Sequence, residues 1–126
     1  MHRLFWICIA GALGTGARYL IGVWAARRFG PVFPYGTLIV NLAGCFLIAL
    51  AMEAAAAKSW PETTRLAITV GFLGGFTTYS SFNHEATRLA GAGVLGGASF
   101  YVIVTLVGGV AAGFLGLLAA RTLISH

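Results

Sequence analysis

The sequence predicts an all-α integral membrane protein with four transmembrane helices in a single domain (1–126), the third helix broken at the middle of the bilayer. Three observations carry this. Only 8 Lys or Arg and 3 Asp or Glu occur in 126 residues, 9% of the chain, where soluble proteins run near ~25%. The apolar share is 59%, more hydrocarbon than so small a core can hide from water, so the surrounding solvent must be lipid. The apolar residues fall into four stretches, each long enough to cross ~30 Å of hydrocarbon, and one of them turns polar at its centre.

The first span, residues 4–26, ends at Arg27-Arg28 and the turn Gly30-Pro31-Val32-Phe33-Pro34. It is too long for the apolar core of a cleaved signal peptide, and no A-x-A site precedes a soluble domain, so it is expected to remain as a helix. Its Gly11, Gly14 and Gly16 suit close helix packing. They do not match the dinucleotide-binding glycine pattern and follow no strand. Arg18 lies deep in this span and needs a partner, a water-filled vestibule or a snorkelling route, as a structural anchor or as part of a pore.

The second span, residues 35–57, ends at Lys58-Ser59-Trp60-Pro61-Glu62, where Trp60 suits the membrane interface. Thr37 and Asn41 are spaced i, i+4 and share one face, with Gly44 close to that stripe. An amide at the depth of Asn41 either bridges helices or donates to an anion. Glu53, near the end of the span, can snorkel.

The third span, residues 65–90, begins with an ordinary apolar run over 66–72. Then follow Gly74-Gly75-Phe76-Thr77-Thr78-Tyr79-Ser80-Ser81-Phe82-Asn83-His84-Glu85. Paired glycines weaken helix, and hydroxyl side chains can bond the backbone groups that are freed. A broken helix is expected, and irregular backbone at this depth is tolerated only where protein buries it or where it lines a wet path. The carbonyls at the end of a half-helix can hold a cation such as Na⁺. Tyr79 and Phe82 are i, i+3, either packing residues or aromatic edges that meet an anion. Glu85 either faces a vestibule or pairs with Arg88. His84-Glu85 is no catalytic dyad, because helix neighbours point apart and no nucleophile or metal-ligand set accompanies them. No enzyme chemistry is expected.

The fourth span, residues 94–120, repeats the i, i+4 pattern with Tyr101 and Thr105, and carries Gly109-x-x-x-Gly113 as a candidate packing face. The chain has 18 glycines, about twice the usual ~7%.

Charge placement excludes one class and suggests another. The net charge of +5 is scattered, with no basic cluster among aromatics, so nucleic acid is not an expected partner. Cys8 and Cys45 sit in apolar runs and read as small buried side chains rather than disulfide, redox or zinc ligands. His2 and His126 are terminal and carry no signal. Arg3, Lys58, Arg65 and Arg121 lie on one side of the four spans; Arg27, Arg28 and Arg88, with Arg18 if it snorkels, lie on the other. A protein with one fixed orientation shows a clear cytoplasmic excess. This near tie predicts both orientations, and two opposed copies could form an antiparallel homodimer.

The segment Gly71-Phe-Leu-Gly-Gly-Phe-Thr-Thr-Tyr-Ser-Ser-Phe82, with Gly36-Thr-Leu-Ile-Val-Asn-Leu-Ala-Gly44 and Gly14-Thr-Gly-Ala-Arg18-Tyr, closely resembles the Fluc/CrcB family of fluoride ion channels over essentially the whole chain. The resemblance implies an antiparallel, dual-topology homodimer in the cell membrane, with two narrow pores that pass F⁻ passively and exclude Cl⁻. It implies a structural Na⁺ held by the carbonyls of Gly74 and Thr77 from both subunits. It places Phe82 at a pore phenylalanine position and makes Asn41 the amide that donates to fluoride. Thr37, Ser81, Tyr101 and Thr105 extend a polar track, and Glu85 matches a carboxylate position. Tyr79 departs from the family's first phenylalanine, Ser81 from a threonine, and Gly109 from a serine carried by some relatives. The implied role is export of toxic fluoride that enters as HF.

Two rival readings are a proton-coupled exporter like the small multidrug resistance proteins and a non-transporting assembly subunit. The first relies on a first-span Glu, whereas this span carries Arg18 and no acid. The second leaves the polar groups inside the spans without a role.

Overall fold

The computed structural model describes residues 1–124; Ser125 and His126, the latter named above, lie outside the described residues. All regular structure among the described residues is helical. Helix α1 (His2–Phe29) ends at Gly30, whose φ of 87° only glycine adopts readily and whose N–H bonds the Ala26 carbonyl. Helix α2 (Tyr35–Ala57) follows the Pro34 turn and has the expected bounds. Helix α5 (Leu95–Ile124) closes the chain. These three helices are long and apolar enough to cross a membrane. Many side chains of α1 and α5 are exposed in the single chain, including Leu13, Leu20, Ile103, Val107, Val110 and Phe114, as expected of surfaces that meet lipid or another chain.

The third apolar segment is built in two parts. Helix α3 covers residues 62–76: an α-helical start (Glu62–Leu66), seven π-helical residues (Ala67–Leu73) and a last α-helical turn (Gly74–Phe76). Helix α4 (Tyr79–Gly91) follows, and Thr77 and Thr78 between them are extended, with φ/ψ of −89°/159° and −153°/121°. The break thus falls at the Thr77-Thr78 pair, but two expectations need correction. The run over 66–72 is apolar as read, but the span it begins is π-helical from Ala67 to Leu73 rather than α-helical up to the break. The wider π turn changes which residues meet α1 and allows two glycines to touch it: a Cβ at Gly71 would stand 2.7 Å from the Ile7 carbonyl oxygen, and one at Gly75 would overlap the Gly11 carbonyl oxygen. The glycine pair also does not break the helix itself. Gly74 and Gly75 stay helical because the second of them is used for this close approach, and the chain leaves the helix only where another element supplies hydrogen-bond partners.

Packing follows the small residues. Helix α1 lies mainly along α3, and α2 lies mainly along α5. Gly14 is buried against Phe72, whose carbonyl oxygen a Cβ would overlap. Gly116 stands against the Phe46 carbonyl in the same manner, whereas Gly109 and Gly113 have ordinary clearance and Gly16 has no neighbour within 4 Å. The tightest contact of α5 is therefore one turn beyond the Gly109-x-x-x-Gly113 face. Cys45 is half-buried, but Cys8 is exposed on the outside of α1, so the reading of both as buried fails for Cys8. Two small cores flank the break: Val40, Leu73 and Phe76 on one side, and Phe82, Leu89, Ala98 and Tyr101 on the other.

Candidate functional site

The break in the third segment is held from two helices at once. On α2, Asn41 faces Thr78 and makes two bonds to its backbone: Nδ2 donates to the Thr78 carbonyl at 2.9 Å, and the Thr78 N–H donates to Oδ1 at 2.8 Å. A side-chain amide matches a peptide group in this pairing, and it supplies the bonds that a continuous helix would have given. On α1, the Arg18 Nε–H donates to the Gly75 carbonyl at 2.9 Å, and the Thr15 hydroxyl donates to the same oxygen at 3.5 Å. Within the segment, the Thr77 N–H and hydroxyl both donate to the Leu73 carbonyl at 3.0 Å. Thr78 is then the N-cap of α4, its hydroxyl oxygen accepting from the Ser81 N–H at 3.2 Å and donating to the Ser81 hydroxyl.

These bonds leave particular groups over. Among the described residues, nothing donates to the carbonyls of Gly74 and Thr77. Both residues stand at the C-terminal end of α3, where the helix dipole is negative, and both line an open groove of about 790 Å³ along α2, α3 and α5. Oxygen groups of this kind suit a hard monovalent cation. Among the described residues, no three His, Cys, Asp or Glu side chains are grouped to hold a metal.

A second polar cluster lies one to two turns along α4. Glu85 accepts from the Thr37 hydroxyl through Oε1 at 2.8 Å and from the Tyr101 hydroxyl through Oε2 at 2.7 Å. One carboxylate thereby ties α2, α4 and α5 together. Glu85, Thr37 and Arg88 line a smaller cavity of about 190 Å³ near the Gly30–Pro34 turn. The Glu85–Arg88 ion pair open from the sequence is not formed; the ion pair among the described residues joins Arg3 to Glu62 at 2.8 Å.

Aromatic rings connect the cluster to the groove. Phe82 is buried and meets Tyr101 edge-on with centroids 5.2 Å apart. Tyr79 lies 5.7 Å from Phe82 but is 76% exposed, on the open side of the groove. Thr105 also lines the groove, and its hydroxyl is buried with no partner among the described residues.

The structure therefore brings Asn41, Phe82, Tyr79, Thr105, Gly74 and Thr77 to one groove, and Thr37, Glu85 and Tyr101 to one cluster beside it. Ser81 is not among the groove's lining residues; its N–H is capped by Thr78 and its hydroxyl accepts from the Thr78 hydroxyl, leaving its own proton free, and Arg18 lies behind the break rather than in the groove. Three participants were not singled out for these roles from the sequence: Thr15 and Gly75, which complete the contact with α1, and Thr78, which receives the Asn41 amide. A hydroxyl three residues before Arg18 was the visible signal for Thr15. Nothing in the pattern said which carbonyl it would meet.

A family model described as "CrcB-like protein, Camphor Resistance (CrcB)" matches residues 5–117. The chain is 48% identical over 124 residues to a protein of Anaeromyxobacter dehalogenans (strain 2CP-1) named as a fluoride-specific ion channel FluC, covering 98% of each. Proteins with the same name from Sorangium cellulosum and Agrobacterium fabrum are each 46% identical, over 99% and 98% of this chain and 99% of theirs.

Proposed function

The chain belongs to the CrcB family, and from that premise we propose that it is a fluoride-selective channel through which F⁻ leaves the cell passively, lowering the cytoplasmic fluoride load. It is a multi-pass membrane protein of a channel family, not an enzyme. The observation that carries the reading is likeness along the whole chain to relatives named for fluoride conduction.

Fluoride is small and strongly hydrated, so its passage requires fixed donors in place of water, in a path too narrow for chloride. The chain offers the Thr37, Tyr101, Ser81 and Thr105 hydroxyls, the second Nδ2–H of Asn41, and the ring edges of Phe82 and Tyr79, each positive at its rim. Thr37 and Tyr101 give their protons to Glu85 here, so each would turn from the carboxylate to an anion. The orphaned Thr105 hydroxyl supports a polar track beyond Phe82.

In the membrane, α3 and α4 together make the third of four crossings. Their 5, 7, 3 and 13 residues extend about 40 Å, enough for the hydrocarbon core. Two copies in opposite orientations form an antiparallel homodimer, with the open groove and the exposed Tyr79 ring at their contact. The balanced Lys and Arg of the loops support this arrangement. The Gly74 and Thr77 carbonyls of both copies would hold a structural Na⁺, whose fixed charge offsets part of the cost of bringing an anion into low dielectric. An exporter like the small multidrug resistance proteins is not favoured, since α1 carries no acid and its half-buried Arg18 is engaged with Gly75.

Purified protein in liposomes loaded with F⁻ and Cl⁻ should release F⁻ and retain Cl⁻. Release of both alike, or of neither, would defeat the reading. A tag at one terminus should be reached by an impermeant label from both sides of the membrane, and labelling from one side only would rule out dual topology.

A further inference from the structure

The Gly75 carbonyl lies between the two carbonyls that would face a central cation, yet it is turned to α1 and engaged there by Arg18 and Thr15. Successive carbonyls of a helix point about 100° apart in projection. Fixing one of them against α1 therefore sets where that of Gly74 points, and the bond from the Thr77 N–H to the Leu73 carbonyl ties the extended Thr77 to the same turn. The next helical N–H that could compete for the Gly74 carbonyl belongs to Thr78, and it is taken by Asn41. The Gly74 and Thr77 oxygens are left without donors among the described residues at the wall of the groove.

We infer that Arg18, assisted by Thr15, is a positioning residue for the central cation site: its bond to the Gly75 carbonyl fixes the last turn of α3 so that the Gly74 and Thr77 oxygens converge on the cation. The inference rests on the proposed Na⁺ site. A guanidinium deep in a membrane is costly unless partnered, and the C-terminal carbonyls of a half-helix are a suitable partner. Two effects of Arg18 oppose one another. As a clamp it orders the oxygens and raises Na⁺ affinity; as a nearby cation it repels Na⁺ and lowers it. The 2.9 Å hydrogen bond falls on the residue next to Gly74 and two before Thr77, whereas Arg18 is half-buried on the α1 side of the break. The clamp is expected to dominate.

The sign of the effect decides the matter. Equilibrium binding of ²²Na⁺ to the purified protein, with Na⁺-dependent thermal unfolding as a second readout, would be measured for wild type, Arg18→Met and Arg18→Lys. Losing a charge-assisted bond should weaken Na⁺ binding about tenfold in Arg18→Met, which has no donor, and Arg18→Lys, whose ammonium can still donate to the carbonyl, should recover most of it. Unchanged or tighter Na⁺ binding in Arg18→Met would overturn the inference, since a charge acting only by repulsion gives that result. Wild-type protein that binds no Na⁺ would instead remove the cation site itself. Should Arg18→Met not fold, Thr15→Val decides: about a twofold loss of Na⁺ affinity supports the clamp, and no change overturns it.

Discussion

Replacing Asn41 by alanine tests how the break is held. The substitution deletes two hydrogen bonds, of 2.8 and 2.9 Å, to the backbone of Thr78. Each is worth about 1 kcal/mol net, and each orphaned backbone group costs about 1–3 kcal/mol if no water replaces the amide. Side-chain hydrogen bonds in membrane proteins average nearer ~0.6 kcal/mol, because the unfolded reference also finds partners. Two bonds on one extended residue at the membrane midplane then place the loss at about 2–4 kcal/mol. At the centre of that range, the balance between formed and unformed break shifts by about a hundredfold. The assay is denaturant or thermal unfolding of the purified protein in detergent, run beside F⁻ efflux from liposomes. Asn41→Ala should lose stability and flux together. Asn41→Asp, which keeps the acceptor for the Thr78 N–H but turns a carboxylate oxygen onto its carbonyl, should lose at least as much stability as Asn41→Ala. If Asn41→Ala stays within about 0.5 kcal/mol of wild type, below the loss of one such bond, the clamp reasoning is refuted. Loss of flux at full stability would then assign the amide to the anion alone.

Three further outcomes are expected. Tyr101→Phe removes the 2.7 Å bond to Glu85 and leaves the carboxylate with Thr37 alone; stability should fall by about 1 kcal/mol, and F⁻ efflux should slow. Phe82→Ile keeps an apolar side chain in the buried position but removes the ring edge beside Tyr101, so flux should fall at least about tenfold while circular dichroism and size-exclusion behaviour stay unchanged. Gly14→Ala drives a Cβ into the Phe72 carbonyl, whereas Gly16→Ala meets nothing within 4 Å in the chain; the first should cost about 2 kcal/mol or more and the second close to nothing in the same unfolding assay.

The helix bounds were largely legible because the bilayer imposes a length and an apolar content on any crossing segment. Residues 35–57 match α2 fully, and the other spans differ from their helices by a few residues at the ends. Polar residues inside an apolar run were legible as groups that must find specific partners, for the same reason, and Asn41, Thr37 and Tyr101 find them. The π-helical turn over Ala67–Leu73 was not legible, since its residues are those of any apolar helix. It depends on how α3 fits against α1 at Gly71 and Gly75, which is a property of the pair. Glu85 illustrates the same limit. Helical spacing put Thr37 on a stripe of α2 and Tyr101 on a stripe of α5, but only the rotation of three helices about one another brings both hydroxyls to one carboxylate.

By itself the sequence determined the solvent, the approximate spans, the place of the break and the family, because each of these depends on composition or on motifs local in the chain. The tertiary structure decided which groups are spent on holding the fold and which are left without a partner among the described residues. Asn41, Arg18 and Thr15 satisfy the backbone of Thr78 and Gly75, while the Gly74 and Thr77 carbonyls and the Thr105 hydroxyl receive no partner among the described residues. That division cannot be read along the chain, because hydrogen bonds across helices are set by the relative depth and rotation of elements that are far apart in sequence.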